Sequence, residues 1–156
     1  MQHSGTTEFE TARLICRRFN TEDDKDMLNN WAADPDSYRW AIIEKTSGQN
    51  IGQIALCKVY SDCCTAEIEY CIGKSFWGSG YAGEALSGLM RFIFNNTGFQ
   101  KLKAYHRVEN VKSGRVLEKS RMHITDTVQR FVRENKEPVG EVCYCITRDE
   151  YLDSLK

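Results

Sequence analysis

The stretch "FWGSGYAGEAL", residues 76–86, contains three glycines, Gly78, Gly80 and Gly83, in the spacing G-x-G-x-x-G. This spacing occurs in dinucleotide-binding loops, in the glycine flap of kinases and in loops that bind other pyrophosphates. From Gly80 onward, apolar residues recur at helical spacing until "NTG", residues 96–98, ends the pattern. The glycines therefore precede a helix, and the surrounding segments must decide which ligand the loop binds.

The segments around the glycine loop predict a fold that alternates strands and helices. Upstream, residues 12–19 alternate as a strand does, a helix follows at about 22–33, and "YRWAIIEK", "NIGQIALCKVY" and "TAEIEYCIG" form three strands joined by hairpin-length turns. Downstream come the strand "KLKAYHRV", the short helix "VKSGRVLEKS" and two strands at about 122–132 and 139–147. The predicted order is β-α-β-β-β-α-β-α-β-β, an α+β domain with about seven strands.

The segments that flank the glycines disfavour two of the three ligands. A dinucleotide fold places its loop after a buried parallel strand and has an acid about 20 residues later. Here the strand carries Glu67 and Glu69, and no acid lies near residue 103. A kinase flap needs a strand after its glycines. What remains is an anion site at a helix N-terminus, in which Gly83 would let the helix approach the ligand or the sheet. The alternative is that the glycines only form a tight turn between the strand and the helix.

Composition limits the classes of partner. A chain of 156 residues predicts one domain, 1–156, of which we expect residues 1–10 to be a loose tail. The net charge of -1 argues against a nucleic-acid or polybasic membrane surface, and no apolar run approaches the roughly 20 residues of a membrane span. Seven cysteines without a signal peptide predict a reduced, cytoplasmic protein. Cys143 and Cys145 share a strand face without a second ligand pair, so we expect core residues and no metal.

Two longer stretches, "AEIEYCIGKSFWGSGYAGEAL" and "HRVENVKSGRVLEKSRM", resemble the acetyl-CoA motif of the GNAT superfamily of N-acetyltransferases. Within it, the chain is similar to the RimJ/RimL-like branch, with its W-G-x-G-Y-A-x-E-A and N-x-x-S-x-x-x-x-E-K patterns, and the resemblance runs in order from about Thr11 to Tyr151. It implies a mixed, mostly antiparallel sheet, splayed between the fourth and fifth strands to admit the pantetheine arm. It also implies acetyl-CoA as cosubstrate, with its pyrophosphate on the glycine loop.

The resemblance also implies which residues contact the coenzyme. The pyrophosphate loop would comprise Trp77, Gly78, Ser79, Gly80, Tyr81 and Ala82, and the pantetheine amides would pair with the backbone of Tyr70, Cys71 and Ile72. Asn110 would hydrogen-bond the pantetheine arm, and Ser113 would lie near the thioester. Candidates for the 3′-phosphate are Lys74, Lys119 and Arg121, each of which could equally be a solvated surface charge.

Acetyl transfer to an amine requires a proton acceptor, because free amines are protonated at neutral pH. Glu67 and Glu69 are two apart on a strand and therefore share a face. The resemblance places a carboxylate base at Glu67, whereas Glu69 stands where the branch often has glycine; alternatively, both acids form a wet face. Leu117 stands where many members have a proton-donating tyrosine, so Ser113 is the nearest substitute, to orient the sulfur or a water. We expect His106 to be a core or edge residue.

The predicted function is acetyl-CoA-dependent N-acetylation of a primary amine by direct attack, the acceptor being a protein N-terminus or a small amine. The alternative is a coenzyme A-binding module with little or no catalysis, and a dinucleotide oxidoreductase is disfavoured by the missing acid. Between Phe19 and Tyr38, family members usually have two helices over the acceptor site, but only one fits here. We therefore expect a wide acceptor cleft unless a partner subunit covers it, and a homodimer is compatible with the sequence.

Overall fold

The computed structural model describes residues 6–20, 23, 38–130 and 137–156. Within these residues there are eight strands: β1 (Phe9–Glu10), β2 (Leu14–Arg17), β3 (Tyr38–Glu44), β4 (Asn50–Tyr60), β5 (Thr65–Ile72), β6 (Lys101–Arg107), β7 (His123–Arg130) and β8 (Val139–Thr147). Three α-helices accompany them: α1 (Tyr81–Asn96), α2 (Val111–Lys119) and α3 (Arg148–Asp153). The strands form one sheet in the order β1-β2-β3-β4-β5-β6-β8-β7.

The sheet is mixed and mostly antiparallel, as predicted. Every neighbouring pair is antiparallel except β5 and β6. The sheet has one strand more than the seven predicted, namely β1 at its edge. In this strand Phe9 is buried against Trp40 and Phe92. The prediction of a loose tail is therefore wrong for Phe9–Glu10, because a buried aromatic residue fixes this segment to the core. The helix predicted at about 22–33 lies outside the described residues.

The sheet opens between β5 and β6. These strands pair over four positions, from Thr65 opposite Lys101 to Ile68 opposite Ala104. Beyond that point β5 continues to Ile72 and β6 to Arg107 without pairing to each other. The predicted splay between the fourth and fifth strands is confirmed, since β5 and β6 are the counterparts of those two predicted strands.

The two faces of the sheet differ in character because successive strand residues point to opposite sides. One face packs against the helices, with the apolar side of α1, including Leu86, Leu89 and Ile93, fully buried in the core. The other face carries charged residues on β3, β5 and β7, among them Arg39, Glu67, Glu69 and Arg130. No helix in the described part of the chain is both long and apolar enough to cross a membrane.

Candidate functional site

The glycine loop joins β5 to α1 through a short 3-10 turn at Lys74–Phe76. Gly78 and Gly80 have φ angles of +82° and +80°, in the left-handed region that glycine adopts without a steric penalty. Gly80 is the N-cap of α1, so the first backbone N–H groups of that helix lie at the loop and have no acceptor within the helix. A Cβ on Gly83 would meet nothing within 4 Å among the described residues, so the expected approach of Gly83 to the sheet is wrong.

A carboxylate on the first turn of α1 holds the loop in place. Glu84 accepts hydrogen bonds from Thr11 Oγ1 at 2.6 Å, from the backbone N–H of Arg13 at 2.7 Å and from Arg13 Nε at 2.7 Å. Arg13 Nη1 also donates to the Ser79 carbonyl oxygen at 3.0 Å. Burial opposes the charge of Glu84, but the bonds from Thr11 and Arg13 outweigh it and lower its pKa. Thr11, Arg13 and Glu84 were not predicted as site residues, although they lie within the family resemblance.

Trp77 connects the loop to two neighbouring elements. Its indole Nε1 donates to the Ile72 carbonyl oxygen at 2.7 Å, at the end of β5. The side chain is 54% exposed, and Lys112 Nζ lies 4.9 Å from its ring centre. The loop and the first turn of α2 therefore lie side by side. Lys112 is therefore a basic residue close to the glycine loop, and it was not among the residues predicted from the sequence.

Of the three predicted basic residues, Lys74 begins the 3-10 turn that leads into the glycine loop, whereas the other two lie at or beyond the far end of α2. Lys119 ends that helix, roughly 12 Å along its axis from Val111. Arg121 donates to the carbonyl oxygen and hydroxyl of Ser154. The structure therefore does not bring Lys119 and Arg121 to the end of α2 that meets the glycine loop.

The opening between β5 and α2 contains the other residues expected to contact the coenzyme. Tyr70, Cys71 and Ile72 follow the last pair between β5 and β6. The Tyr70 hydroxyl donates to the Ser113 carbonyl oxygen at 3.4 Å, and burial raises the pKa of this phenol. Asn110 is the N-cap of α2 and accepts a hydrogen bond from Ser113 N. These residues, which are distant in sequence, thus border one opening.

The two predicted carboxylates lie on the opposite face, in different environments. Glu67 is 4% exposed and accepts hydrogen bonds at both oxygens, from the Tyr60 hydroxyl at 2.7 Å and from Arg130 Nη2 at 3.0 Å. The Glu69 side chain is 44% exposed, and Arg39 Nη2 lies 2.6 Å from its Oε1. The wet-face interpretation is therefore wrong for Glu67 and fits Glu69.

Both carboxylates line a cleft of about 220 Å³, formed by Cys57, Glu67, Ile68, Glu69, Tyr105, Arg130 and Glu141. It lies where β5 and β6 separate, since Ile68 belongs to their last pair. The Arg130 guanidinium is 4.0 Å from the Tyr105 ring centre, and Arg130 Nε is 3.6 Å from Glu141 Oε2. Burial and then the charges of Glu69 and Glu67 raise the pKa of Cys57 to about 11, so this residue is a thiol at neutral pH.

The remaining candidate residues are in the core. His106 is 8% exposed and lies on the helix-facing side with its ring centre 5.5 Å from that of Tyr144, as expected of a core histidine. Its Nδ1 lies 2.7 Å from the Arg107 carbonyl oxygen. Leu117 is buried and cannot replace a proton-donating tyrosine. Cys143 and Cys145 are buried, consistent with core packing.

Comparison with known proteins gives relatives of one family. The family model described as Acetyltransferase (GNAT) domain matches residues 3–123. YkkB of Bacillus subtilis (strain 168) is 32% identical over 93 residues, which are 59% of this chain and 54% of YkkB. The chain spans about half the length of the first curated relatives it matches.

Solved structures share the fold at low sequence identity. An acetyltransferase of the GNAT family from Bacillus anthracis superposes with a TM-score of 0.80 at 21% identity, covering 92% of this chain and 100% of that one. The spermidine/spermine N-acetyltransferase SpeG from Vibrio cholerae has a TM-score of 0.77 at 15% identity, covering 93% of this chain and 98% of that one. With the family model matching most of the sequence, this chain belongs to the GNAT acetyltransferase family.

Proposed function

We propose that this protein is an N-acetyltransferase that transfers the acetyl group of acetyl-CoA to a primary amine by direct attack on the thioester. Membership of the GNAT family supports acyl transfer from acetyl-CoA. The observation that carries the proposal is the position of the sheet opening. It lies between a glycine loop suited to an anion and a cleft lined by carboxylates.

The coenzyme would bind along the helix-facing side of this opening. The N–H groups of residues 77–82 would receive the pyrophosphate, supported by the glycine conformations and the α1 N-terminus. The edge of β5 at residues 70–72, which does not pair with β6, would pair with the pantetheine amides, and Asn110 would bind the same arm. Lys112, beside Trp77, is a closer source of positive charge for the phosphates than Lys119 or Arg121.

The acceptor amine would enter from the cleft. Glu67 would take the amine proton, since a base must lie within hydrogen-bond reach of the proton it removes. A backbone N–H near Cys71 would stabilise the tetrahedral oxyanion, and Ser113 would orient the sulfur or a water. Three carboxylates line this cleft, Glu67, Glu69 and Glu141, and they favour an acceptor that arrives as a cation.

The acceptor would be a protein N-terminus or a small amine. The resemblance to the RimJ/RimL-like branch favours the first class. SpeG, a spermidine/spermine N-acetyltransferase, shares the fold and is an example of the second class. Both classes present a primary amine that is protonated at neutral pH.

A thioester-consumption screen tests the proposal. Purified protein is incubated with acetyl-CoA and a panel of small amines and peptides, and release of the coenzyme thiol is compared with a reaction that lacks acceptor. We expect release to depend on the acceptor, with an acetylated amine as the second product by mass spectrometry. Coenzyme A binding without acceptor-dependent release would indicate a binding module instead.

A further inference from the structure

Arg130 occupies the part of the cleft where the acceptor must meet Glu67. Tyr60 binds one oxygen of Glu67 and Arg130 Nη2 binds the other. Each carboxylate oxygen can accept more than one hydrogen bond, but Glu67 is only 4% exposed, so little of it is open to the cleft while both donors are in place. An amine that contacts Glu67 directly from the cleft therefore has to move one of these two donors aside.

Of these two donors, Arg130 is the one that resembles an acceptor amine. It reaches from the end of β7 over Tyr105 on β6, with Glu141 on β8 beside its Nε. Its side chain is 34% exposed and lines the cleft, so a solute can approach it. Like an ammonium group, it offers N–H donors and one positive charge to carboxylate and aromatic partners.

We propose that Arg130 closes the acceptor cleft by pairing with Glu67, and that a cationic acceptor opens it by taking the place of the guanidinium. The inference rests on the proposed function, because it assigns the cleft to the acceptor. Moving Arg130 away without a replacement would leave the buried Glu67 carboxylate without its cation, which is costly. An arriving ammonium supplies that charge, so opening is coupled to the presence of a cation.

This arrangement makes access to Glu67 depend on the charge of the acceptor. An amine that is protonated at neutral pH can replace the guanidinium, and its N–H then contacts Glu67 Oε2. A weakly basic aromatic amine, neutral at the same pH, brings no charge to compensate Glu67 and Glu141. If Arg130 only connected β7 to β5, cations would not displace it, and its loss would not lower the KM of any acceptor.

Nuclear magnetic resonance of the wild-type protein tests displacement directly. The Nε–H signal of Arg130 is assigned in ¹⁵N-labelled protein by comparison with Arg130→Lys. We expect n-butylammonium chloride to shift this signal progressively, whereas n-butanol, its uncharged counterpart, and potassium chloride at equal ionic strength leave it in place. If butylammonium does not shift this signal, or if potassium chloride shifts it equally, the proposal is wrong.

Kinetics provide the second measurement. Arg130→Met should lower the KM for n-butylamine about fivefold, the order of effect expected when one partly exposed ion pair no longer competes. The KM for acetyl-CoA should stay constant, whereas the KM for a neutral aromatic amine should also fall, because the guanidinium no longer blocks its way to Glu67. Lys58→Met is the matched control, because it removes a positive charge from the same face, where Lys58 Nζ lies 4.8 Å from the Tyr60 ring centre.

The outcomes separate this inference from the proposed function. A wild-type protein that acetylates no amine would reject the function, while butylammonium would still displace Arg130 if the inference holds. Active protein in which Arg130→Met leaves the KM for n-butylamine unchanged, or raises it, would reject the inference alone. Should Arg130→Met fail to fold, the titration of the wild-type protein decides.

Discussion

At the scale of single residues, Glu67 and Glu69 show how partners distinguish two acids on one strand. Strand alternation predicted their common face, because it depends only on neighbouring residues. The partners Tyr60, Arg130 and Arg39 could not be predicted, since each lies on another strand, 63 positions away for Arg130. The result is a buried, fixed carboxylate at Glu67 and a more exposed one at Glu69.

Replacing Glu67 with glutamine should lower kcat by roughly 10²-fold near neutral pH, because an amide cannot accept the amine proton. Coenzyme affinity should change little, since Glu67 lies on the face away from α2. The deficit should shrink at high pH, where the amine deprotonates unaided. The measurement is kcat against pH for wild type and Glu67→Gln.

Glu69→Gln is the comparison for this prediction, and we expect it to lose less activity. Full activity of Glu67→Gln together with an impaired Glu69→Gln would reverse the two assignments. Full activity of both variants would leave water or the acceptor itself to remove the proton.

At the scale of elements, the glycine loop and α1 were predicted closely. The helical pattern begins after Gly80 and stops at residues 96–98, and α1 is Tyr81–Asn96. Loop conformation and helix periodicity are local properties, so a short stretch of sequence contains most of the information. The Glu84 contacts with Thr11 and Arg13 join positions more than 70 residues apart, which periodicity cannot reveal.

Gly80→Val should abolish coenzyme binding, because a β-branched residue cannot hold a φ of +80° without strain. The loop would then rotate its N–H groups away from the anion site. Isothermal titration calorimetry with coenzyme A measures the loss. Gly83→Ala is the control: its Cβ meets no described atom within 4 Å, so binding should persist, with unfolding about 0.5–1 kcal/mol less favourable. Tight binding by a folded Gly80→Val protein would contradict the assignment of the loop.

Glu84→Gln should weaken the link between α1 and the β1–β2 connection in a pH-dependent way. The pKa of Glu84 in the folded protein lies below its ordinary value of 4.5, so its stabilising effect is present above about pH 4.5 and is lost as pH falls through the folded value. At pH 7 the variant should lose about 1–2 kcal/mol of unfolding free energy, since Arg13 is half-exposed and contributes little.

Urea unfolding of wild type and Glu84→Gln at pH 7, 4.5 and 3 tests whether the stabilising effect of Glu84 is lost as the pH falls. The gap between the two midpoints should narrow as the pH falls, because wild type alone loses the charged form of Glu84. A gap that stays constant over this range would show that the carboxylate charge does not stabilise the fold.

At the scale of the whole molecule, the sheet consists of two parts, β1–β5 and β6–β8, joined by four paired positions. The order of the described elements from Leu14 to Thr147 was predicted, and so was the opening, through the family resemblance; the helix α3 was not. The strand order β6-β8-β7 and the short strand β1 were not, because pairing between distant segments leaves no local pattern. The cleft that we propose for the acceptor is bordered by both parts, with Glu67 on one and Tyr105 and Arg130 on the other.

Coenzyme A should raise the thermal midpoint of unfolding, because a ligand bound across the opening would contact β5 and the glycine loop on one side and α2 on the other. A ligand that binds only the folded state, at 100 times its Kd, stabilises by about 2.7 kcal/mol. For a domain of this size that corresponds to a rise of about 5–10 °C.

Differential scanning fluorimetry at increasing concentrations of coenzyme A measures this rise, with NADH as the matched nucleotide control. Gly80→Val should show no rise, and NADH should have no effect, since no acid lies where a dinucleotide ribose would need one. An equal rise with NADH would return the glycine loop to the dinucleotide class, and no rise with coenzyme A would contradict its placement across the opening.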